Sequence, residues 1–345
     1  MKATWYDRQG PAAEVLVCGQ LPDPVPGPGE VRVAVRFSAV NPGDTKKRRG
    51  WLGSDMPYDR VIPHSDGSGV IDAVGPEVDP RRVGQRVWVF GAQSYRPFGT
   101  AAEYAVVPEH LALDLPGDVS DEVAACLGIP GITAHRAVFA DGPVAGQVVL
   151  VHGVLGAVAG LAAQLAAQGG AHVIGTVRAH ADIALVDPRV APRVIALDTQ
   201  PAERIRELVP EGVDRVIEVS LSSNLTLDTA VARTGAVIAA YGSRDDRVTL
   251  DVWPMLFANL SVRLLGSDDF PAAAKARAAR ELTGLAARLH IPIAHPYPLS
   301  AVAAAHDAVD GGTRERVLIE VGAPDAGGVA HAAAEAGLRQ ERETP

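Results

Sequence analysis

The chain has 345 residues, of which 47% are hydrophobic, and a formal net charge of −9. This length is sufficient for two domains with large cores, and the negative charge argues against a nucleic-acid surface. The apolar runs are shorter than the about 20 residues of a membrane span. The first residues lack the apolar core of a signal peptide, and two cysteines make neither a disulfide framework nor a metal cluster. We therefore expect a soluble, cytoplasmic protein that binds neither nucleic acid nor a membrane.

The N-terminal third has the pattern of short strands separated by turns. Residues 31–35 alternate between apolar and charged or small side chains. Further apolar runs lie at 61–62, 70–74, 87–90 and 104–107. Gly- and Pro-rich stretches such as PDPVPGPGE at 22–30 punctuate them. Short strands with frequent turn signals predict a compact β-rich barrel or sandwich.

From about Ser120 the pattern changes to helices that alternate with buried strands. Helices are predicted over 121–128, 133–140, 201–209, 225–232, 271–289 and 300–309. Strands are predicted over 148–151, 171–176, 193–196, 213–219, 236–241, 262–265 and 317–321. Such alternation predicts a parallel sheet covered by helices. Ser300 is predicted to cap the last helix and Gly311 to end it, and the tail at 323–345 is predicted to be peripheral.

Residues 146–178, GQVVLVHGVLGAVAGLAAQLAAQGGAHVIGTVR, have the pattern strand, tight turn, helix, turn, strand. This is the βαβ unit of about 30 residues that dinucleotide sites use, and a pyrophosphate would bind at the N-terminus of its helix. In a G-x-G-x-x-G alignment the three positions are Val154, Gly156 and Ala159, so glycine stands only where backbone must approach phosphate. Short Gly/Ala helices also pack on sheets for structural reasons, and the pattern alone leaves both interpretations open.

Several longer segments stand in a fixed order between residues 2 and 322. They include SAVNPGDTKKRRG at 38–50, VIPHSDGSGVIDAVG at 61–75, CLGIPGITAHRAV at 126–138, VLVHGVLGAVAG at 149–160 and NLTLDTAVARTGAVIAAYGS at 224–243. Together they resemble the zinc-independent medium-chain dehydrogenase/reductases, and within them the zeta-crystallin-like NADPH:quinone oxidoreductases. The resemblance implies an α/β protein: a GroES-like β-rich domain over 1–118 and 269–322, and an inserted Rossmann domain, with a doubly wound parallel sheet, over 119–268.

The resemblance also bears on metal binding. Zinc-binding members of the wider superfamily use a cysteine in the loop that here contains Asn41 and a histidine where this chain has Ser65, with His64 one position away. A zinc site needs Cys, His or carboxylate ligands that converge tetrahedrally, and the loop at 91–99 lacks the cysteines of a structural zinc lobe. We expect no metal. A site that uses His64 and Asp66 is the alternative, and a polar loop residue is the favoured interpretation of His64.

The end of the second strand of the βαβ unit favours NADPH over NADH. NAD-specific Rossmann folds place an acidic residue there to bind the ribose 2′-OH. This chain has Thr176, Val177 and Arg178, with no carboxylate before Asp182. Arg178 offers a planar cation suited to a 2′-phosphate, and a solvated loop arginine is the alternative interpretation. His180 and Arg193 are weaker candidates for the same role.

The resemblance implies a set of nucleotide-binding residues. They are Gly156, Ala157 and Val158 along the pyrophosphate, Gly153 and Thr176 in the same βαβ unit, Arg178 at the ribose phosphate, Thr133 near the nicotinamide, Tyr241, Gly242 and Ser243 on the far side of the nicotinamide pocket, Asn41 at the ribose or nicotinamide, and Arg316 near the cofactor. For Arg316, an exposed charge at a strand end is an equal alternative. Val154 and Leu155 stand where the family has small residues, and we expect them to narrow the approach to the pyrophosphate.

Hydride delivery to an electron-poor conjugated acceptor needs less activation than alcohol oxidation does without zinc, because charge collects on a carbonyl oxygen that requires only a hydrogen-bond donor. The expected substrate is therefore a small-molecule quinone or conjugated enone, reduced by NADPH. The candidate catalytic residues are Asn41, Lys46 and Thr133. Lys46 stands where the family commonly has a tyrosine, so it is either a donor to the substrate or part of a solvated basic turn. His135 also replaces a frequent tyrosine.

Two other functions stay open at this point. One is an enoyl or enone reductase of a specific biosynthetic metabolite, and the other is a nucleotide-binding protein without catalysis. The resemblance also implies a homodimer joined through the edge of the Rossmann sheet, near 262–265.

Overall fold

The computed structural model describes residues 1–322 and divides them into two compact units. Unit 1 comprises Met1–Gly128, Ile293–Thr313 and 317–322, and unit 2 comprises Ile129–Pro292 and Arg314–Arg316. These boundaries differ from the predicted ones, at 118 and 268, because the helix over Ala272–Leu285 packs against the helix over Ile129–Phe139 and so belongs to unit 2. The predicted tail at 323–345 lies outside the described residues.

The first part of unit 1 is built mainly from strands. In chain order it contains β1 (Lys2–Trp5), α1 (Ala12–Val15), β2 (Val17–Gln20), β3 (Glu30–Val40), α2 (Pro42–Arg49), β4 (Asp66–Val74), β5 (Arg86–Val89), β6 (Tyr104–Pro108), β7 (Ala112–Asp114) and α3 (Asp121–Ala125). Alternation along β3 buries Val31, Val33 and Val35. The first two of these valines pack with Ile71 and Val107 in one core, and burial of each such side chain contributes about 1.5–3 kcal/mol.

Unit 2 follows with alternating helices and strands. They are α4 (Ile129–Phe139), β8 (Val148–Val151), α5 (Ala157–Gln168), β9 (His172–Val177), β10 (Val194–Ala196), α6 (Pro201–Leu208), β11 (Val213–Glu218), α7 (Leu221–Val231), β12 (Ala232–Ala240), α8 (Val252–Phe257), β13 (Ser261–Leu264) and α9 (Ala272–Leu285). The six strands form one sheet in the order β10-β9-β8-β11-β12-β13, and all neighbours are parallel. Numbered within unit 2, this is the order 3-2-1-4-5-6 of the Rossmann fold, whose ligands bind at the carboxyl ends of the strands where the order reverses. Here that point lies between β8 and β11.

The chain then returns to unit 1 with β14 (Tyr297–Pro298), α10 (Val302–Asp310) and β15 (Val317–Glu320). The long strand β3 pairs with β4 along its length, with β6 over its first half and with β15 over its last residues. The resulting sheet has the order β14-β15-β3-β4-β5-β7. Val302 and Ala305 of α10 pack against β15 and the end of β3.

Several predicted element ends are wrong. Ser300 does not cap α10: residues Leu299–Ala301 form a 3-10 turn, and α10 begins at Val302. The turn is fixed because Leu299 is buried and its carbonyl accepts a hydrogen bond of 2.9 Å from the Thr4 hydroxyl. Helix α7 begins at Leu221 rather than at residue 225, since Leu221 belongs to the core of unit 2.

Candidate active site

The turn after β8 has the geometry of an anion site. Gly153 adopts a left-handed φ of +69°, which favours glycine, and the N–H of Gly156 donates to the Gly153 carbonyl at 2.8 Å. Gly156 then precedes the twelve-residue helix α5, and it provides no side-chain cap. The first N–H groups of a helix have no intrahelical partner and lie at its positive end. This turn therefore presents backbone donors at the point where the strand order reverses, and a pyrophosphate fits it.

Val154 does not narrow this turn, contrary to the prediction. Its side chain is buried under the turn, and a Cβ on Gly175 of β9 would lie 2.8 Å from Val154 Cγ1. Val154 thus occupies the space that Gly175 leaves open. Ala159, at the third position of the fingerprint, is fully buried, as the small residue between helix and strand should be. Leu155 is half-buried.

A buried polar cluster lies beneath the turn, and the sequence analysis missed it. His152 follows β8, Glu218 ends β11, and Asp228 lies on α7; all three side chains are fully buried. His152 Nε2 lies 2.8 Å from Asp228 Oδ1 and 3.6 Å from Glu218 Oε2. The only signal in the sequence is a polar residue at the end of each of two apolar strands, VVLVH and VIE.

The ionisable groups of this cluster shift one another's pKa values. Burial raises the pKa of Glu218 to about 7, although the nearby His152 opposes the shift. Burial disfavours the imidazolium of His152, but the hydrogen bond and charge of Asp228, together with Glu218, raise the pKa of His152 above its ordinary value. The two carboxyl groups therefore favour the charged form of His152, and burial favours the neutral form of Glu218.

Thr176 connects the cluster to the turn. Its Oγ1 lies 2.9 Å from His152 Nδ1 and accepts a hydrogen bond of 3.3 Å from the Gly153 N–H. Because Thr176 is fully buried, its side chain supports the turn from below, and the expected direct contact with a nucleotide is wrong for this side chain. Thr176 is a positioning residue for Gly153.

The metal alternative can be tested on the contacts of its ligands. His64 Nδ1 lies 2.8 Å from Ser38 Oγ, and His64 Nε2 lies 2.9 Å from His306 Nε2, so both ring nitrogens are engaged by protein groups. Within residues 1–322, the spacing of a three-ligand metal group occurs at His152, Glu218 and Asp228, where His152 Nε2 is hydrogen-bonded to Asp228 and the Glu218 carboxyl group to Asn224. The alternative that His64 and Asp66 bind a metal therefore has no support in the geometry.

The predicted nicotinamide residues lie on two elements of unit 2. Thr133 is buried on α4, and Tyr241–Ser243 follow β12. The Tyr241 N–H donates to the Glu218 carbonyl at 3.0 Å, and the Gly242 carbonyl accepts from the Leu221 N–H at 3.1 Å. A Cβ on Gly242 would lie 2.5 Å from the Val219 carbonyl oxygen, so glycine is required there. The loop after β12 is thereby fixed against the loop after β11, beside the point where the strand order reverses.

Ser243 is held in the same way, since its hydroxyl donates to the Asp245 carbonyl at 2.7 Å and accepts from the Ser222 N–H at 3.2 Å. His135 of α4 pairs with Glu281 of α9 at 2.7 Å, and burial lowers its pKa. The structure thus places His135 in a contact between two helices of unit 2.

The residues at the end of β9 distinguish between the two nicotinamide nucleotides. Arg178 is exposed and lies one residue beyond the strand. Asp182, the first carboxylate that follows, is paired with Arg314 at 2.7 Å. Arg316 is buried, and its backbone N–H donates to the Pro292 carbonyl at 2.8 Å. The interpretation of the Arg316 side chain as an exposed strand-end charge is therefore wrong.

In unit 1, Asn41 and Lys46 are placed by helix α2. Asn41 precedes the helix in a capping box: its N–H donates to Asp44 Oδ2 at 2.7 Å. Its side-chain amide donates to Asp66 Oδ2, also at 2.7 Å. Lys46 Nζ lies 4.3 Å from the centre of the Trp51 ring, and burial, with a smaller effect of Arg49, lowers the pKa of Lys46. The sequence KKRR forms the last turn of α2, in which Arg48 is buried, Lys46 and Lys47 are half-buried and Arg49 is exposed. The interpretation as a solvated turn is therefore wrong for Arg48.

Known proteins were compared with this architecture. The alcohol dehydrogenase GroES-like domain family matches residues 27–117. Quinone oxidoreductase of Homo sapiens is 30% identical over 307 residues, which cover 86% of this chain and 91% of the human protein. The chain belongs to the medium-chain dehydrogenase/reductase family, among the quinone oxidoreductases.

Solved structures agree with this family assignment. A mycobacterial quinone oxidoreductase matches with a TM-score of 0.81 and 26% identity, over 93% of this chain and 100% of that one. A mycobacterial protein in complex with NADPH matches with a TM-score of 0.80 and 26% identity, over the same shares. An NAD-dependent alcohol dehydrogenase matches with a TM-score of 0.82 and 26% identity, over the same shares of the two chains. The predicted fold class, with its GroES-like and Rossmann parts, is confirmed. One of these structures contains NADPH, and another is named as NAD-dependent. The residues at the end of β9 therefore decide which of the two nucleotides this medium-chain dehydrogenase/reductase prefers.

Proposed function

We propose that this medium-chain dehydrogenase/reductase is an NADPH-dependent quinone oxidoreductase. The observation that carries the proposal is the turn at 152–156, which places the N-terminus of helix α5, with its first backbone N–H groups, at the reversal of a Rossmann sheet. The exposed Arg178 and the already paired Asp182 add the preference for a 2′-phosphate. Similarity to the human quinone oxidoreductase over most of both chains supports the class of substrate.

The residues of unit 2 serve the nucleotide in this proposal. NADPH supplies a hydride when it is bound. Ala157 and Val158, in the first turn of α5, hold the pyrophosphate by backbone N–H groups, while Gly153 and Gly156 shape the turn so that the pyrophosphate can approach it. Arg178 pairs with the 2′-phosphate. The nicotinamide is oriented by Thr133, Tyr241, Gly242 and Ser243, with Arg316 near the cofactor.

The residues of unit 1 serve the acceptor and one end of the nucleotide. As hydride reaches one end of a quinone, negative charge collects on the carbonyl oxygen and needs a hydrogen-bond donor. Lys46 holds a proton at Nζ that its lowered pKa makes easier to give up. The Asn41 side chain is held by Asp66, and it orients the nicotinamide or ribose end of the nucleotide.

An acceptor panel tests the proposal. NADPH oxidation is followed with quinones and with conjugated enones of matched reduction potential, and we expect turnover with quinones. Turnover with enones alone would identify an enone reductase instead. Tight NADPH binding with no turnover on either class would identify a nucleotide-binding protein and refute the proposal.

Lys46→Met tests the acceptor side, with Lys47→Met as the control that removes the same charge from the same helix. We expect Lys46→Met to lower kcat/KM for the quinone at least tenfold, about 1.4 kcal/mol of transition-state stabilisation, and Lys47→Met to change it little. Equal effects of the two substitutions would remove Lys46 from the acceptor site.

We also propose an oligomeric state and a cellular location for the chain. Strand β13 is an edge of the sheet, and its last residue, Leu264, is 73% exposed, as is Phe257 of α8. An open strand edge next to exposed apolar residues is a site for a second copy of the chain, and we include a homodimer in the proposal, to be tested by light scattering of the wild type and of Leu264→Lys. Cys18 and Cys126 form no disulfide within residues 1–322, which fits the reducing cytoplasm. Within residues 1–322, the structure contains no helix with the length and hydropathy needed to cross a membrane.

A further inference from the structure

A closed set of hydrogen bonds links both ends of helix α2 in unit 1. The members, in order, are Arg48, His306, His64, Ser38, Thr100, Asp66 and Asn41, and we call this set the hydrogen-bonded ring. Helix α2 closes the ring, because Asn41 caps its first turn and Arg48 lies in its last turn. Each of the seven side chains is buried.

The directions of the hydrogen bonds between Arg48 and the Asp66 carbonyl follow from one donor. The Nε–H of Arg48 donates to His306 Nδ1 at 3.2 Å, and arginine has no acceptor. His306 Nδ1 therefore carries no hydrogen, so His306 Nε2 must donate to His64 Nε2 at 2.9 Å. His64 in turn keeps its hydrogen on Nδ1.

The remaining bonds continue in the same direction as far as Asp66, which accepts hydrogen bonds from both Thr100 and Asn41. His64 Nδ1 donates to Ser38 Oγ at 2.8 Å, and Ser38 donates to Thr100 Oγ1 at 2.7 Å. Thr100 donates to the Asp66 backbone carbonyl at 2.6 Å. The Asp66 side chain then accepts from the amide of Asn41. Each hydroxyl and imidazole in the ring thus donates once and accepts once.

Both imidazoles in the ring are neutral, because each has one nitrogen that accepts a hydrogen bond. The surroundings of His306 favour this state: burial, assisted by Arg48, lowers the pKa of His306 to about 3, against a smaller opposing effect of Asp310. Arg48 itself is compensated by Asp310 at 3.0 Å, and Asp307 and Tyr6 also face it.

The backbone at His64 supports a functional interpretation. His64 has a left-handed φ of +78° although it is not glycine, a conformation that costs about 1–3 kcal/mol and persists where the surroundings enforce it. A Cβ on Gly99 would lie 2.0 Å from the His64 carbonyl oxygen, so the backbone at Gly99 packs directly against the backbone of His64. The strained conformation keeps the His64 ring between Ser38 and His306.

We propose that the hydrogen-bonded ring sets the orientation of helix α2 and thereby positions Lys46 for the hydride acceptor. This inference rests on the proposed function, because Lys46 acts on the acceptor there. The ring does not deliver protons, since Arg48 stands at one end and a backbone carbonyl accepts from Thr100 near the other. Arg48, His306, His64, Ser38 and Thr100 are positioning residues.

Thr100→Val tests the ring, with Thr100→Ser as the matched control. Valine keeps the shape of threonine but removes the hydroxyl, which leaves Ser38 without its acceptor and the Asp66 carbonyl without its donor; serine keeps the hydroxyl. We expect Thr100→Val to lower kcat/KM for the quinone about tenfold, and Thr100→Ser to change it less than about twofold. The Kd of NADPH should change less than about twofold in both variants, because the pyrophosphate turn belongs to unit 2.

Two kinetic outcomes would overturn the inference. One is an equal loss in Thr100→Val and Thr100→Ser, and the other is a loss of NADPH affinity as large as the loss in kcat/KM, which would indicate a general structural effect.

A second measurement keeps the ring testable where a variant fails to fold or where the wild type reduces no acceptor. Heteronuclear NMR of the histidine ring nitrogens in the full wild-type chain, assigned with His64→Gln and His306→Gln, should show hydrogen on Nε2 of His306 and on Nδ1 of His64 at neutral pH. The opposite tautomer, or an imidazolium, at either residue would refute the ring. Correct tautomers with no NADPH-dependent turnover would refute the proposed function and leave the ring intact.

Discussion

Arg178→Ala is the sharpest test of the cofactor assignment. Arg178 lies one residue beyond β9, where a ribose 2′-substituent is read in Rossmann folds. A hydrogen bond to a charged group contributes about 1.5–3 kcal/mol, and the exposure of Arg178 reduces this to about 1–2 kcal/mol by screening. NADPH should therefore bind about 5–30-fold more weakly to Arg178→Ala, whereas NADH, which has no 2′-phosphate, should bind nearly unchanged.

The assay is titration of each nucleotide against the wild type and the variant, at low and at high salt. Because the Arg178 contact is exposed, the preference for NADPH over NADH should narrow as ionic strength rises. Arg193→Ala is the control. Arg193 precedes β10 and so lies at the amino end of that strand, whereas Arg178 follows the carboxyl end of β9. Equal weakening of NADPH and NADH binding in Arg178→Ala, or an equal effect of Arg193→Ala on NADPH, would refute the assignment.

Three further predictions concern the scaffold of the site. Thr176→Val should lower the free energy of unfolding by about 1–3 kcal/mol, because it leaves buried polar groups without partners, and should weaken NADPH binding, while Thr176→Ser should retain both; calorimetry and titration check this. Gly175→Ala places a Cβ 2.8 Å from Val154 Cγ1 and should destabilise the fold by about 1–3 kcal/mol, with part of the loss restored by Val154→Ala in denaturant titrations. Burial lowers the pKa of His306 from 6.5 in the unfolded chain to about 3 in the folded protein. As the pH falls below 6.5, the unfolded chain therefore binds a proton at His306 that the folded protein does not. The free energy of unfolding should then decrease, by about 2 kcal/mol at pH 5. A pH series of unfolding free energies in which His306→Gln shows the same acid loss as the wild type would contradict this.

The Rossmann half of the fold could be predicted because its signals are local. Apolar runs of 4–8 residues alternate with helical segments of the right length, so the strands at 148–151 and 213–218 were located within a residue or two. The turn at 152–156 was likewise predicted from one short segment. Local patterns of this kind determine element type, and the crossover rule then supplies the sheet.

The misread residues depend on contacts between distant parts of the chain. The direction of the Val154 side chain was decided by the missing side chain of Gly175, 21 residues later. The cluster of His152, Glu218 and Asp228 joins positions up to 76 residues apart. Arg48 belonged to an apparently solvated basic run, yet its partner His306 lies 258 residues away. Periodicity describes one element at a time, so it does not contain these pairings.

The direction of the hydrogen-bonded ring has a consequence for how such a chain can change over evolution. A substitution at one position that reverses donor and acceptor forces every following bond to reverse, and Arg48 blocks that reversal because it has no acceptor. The histidines and hydroxyls of the ring can therefore be exchanged only in compensated combinations. In an alignment of close relatives, positions 38, 64, 100 and 306 should vary together or not at all, as a single inherited unit.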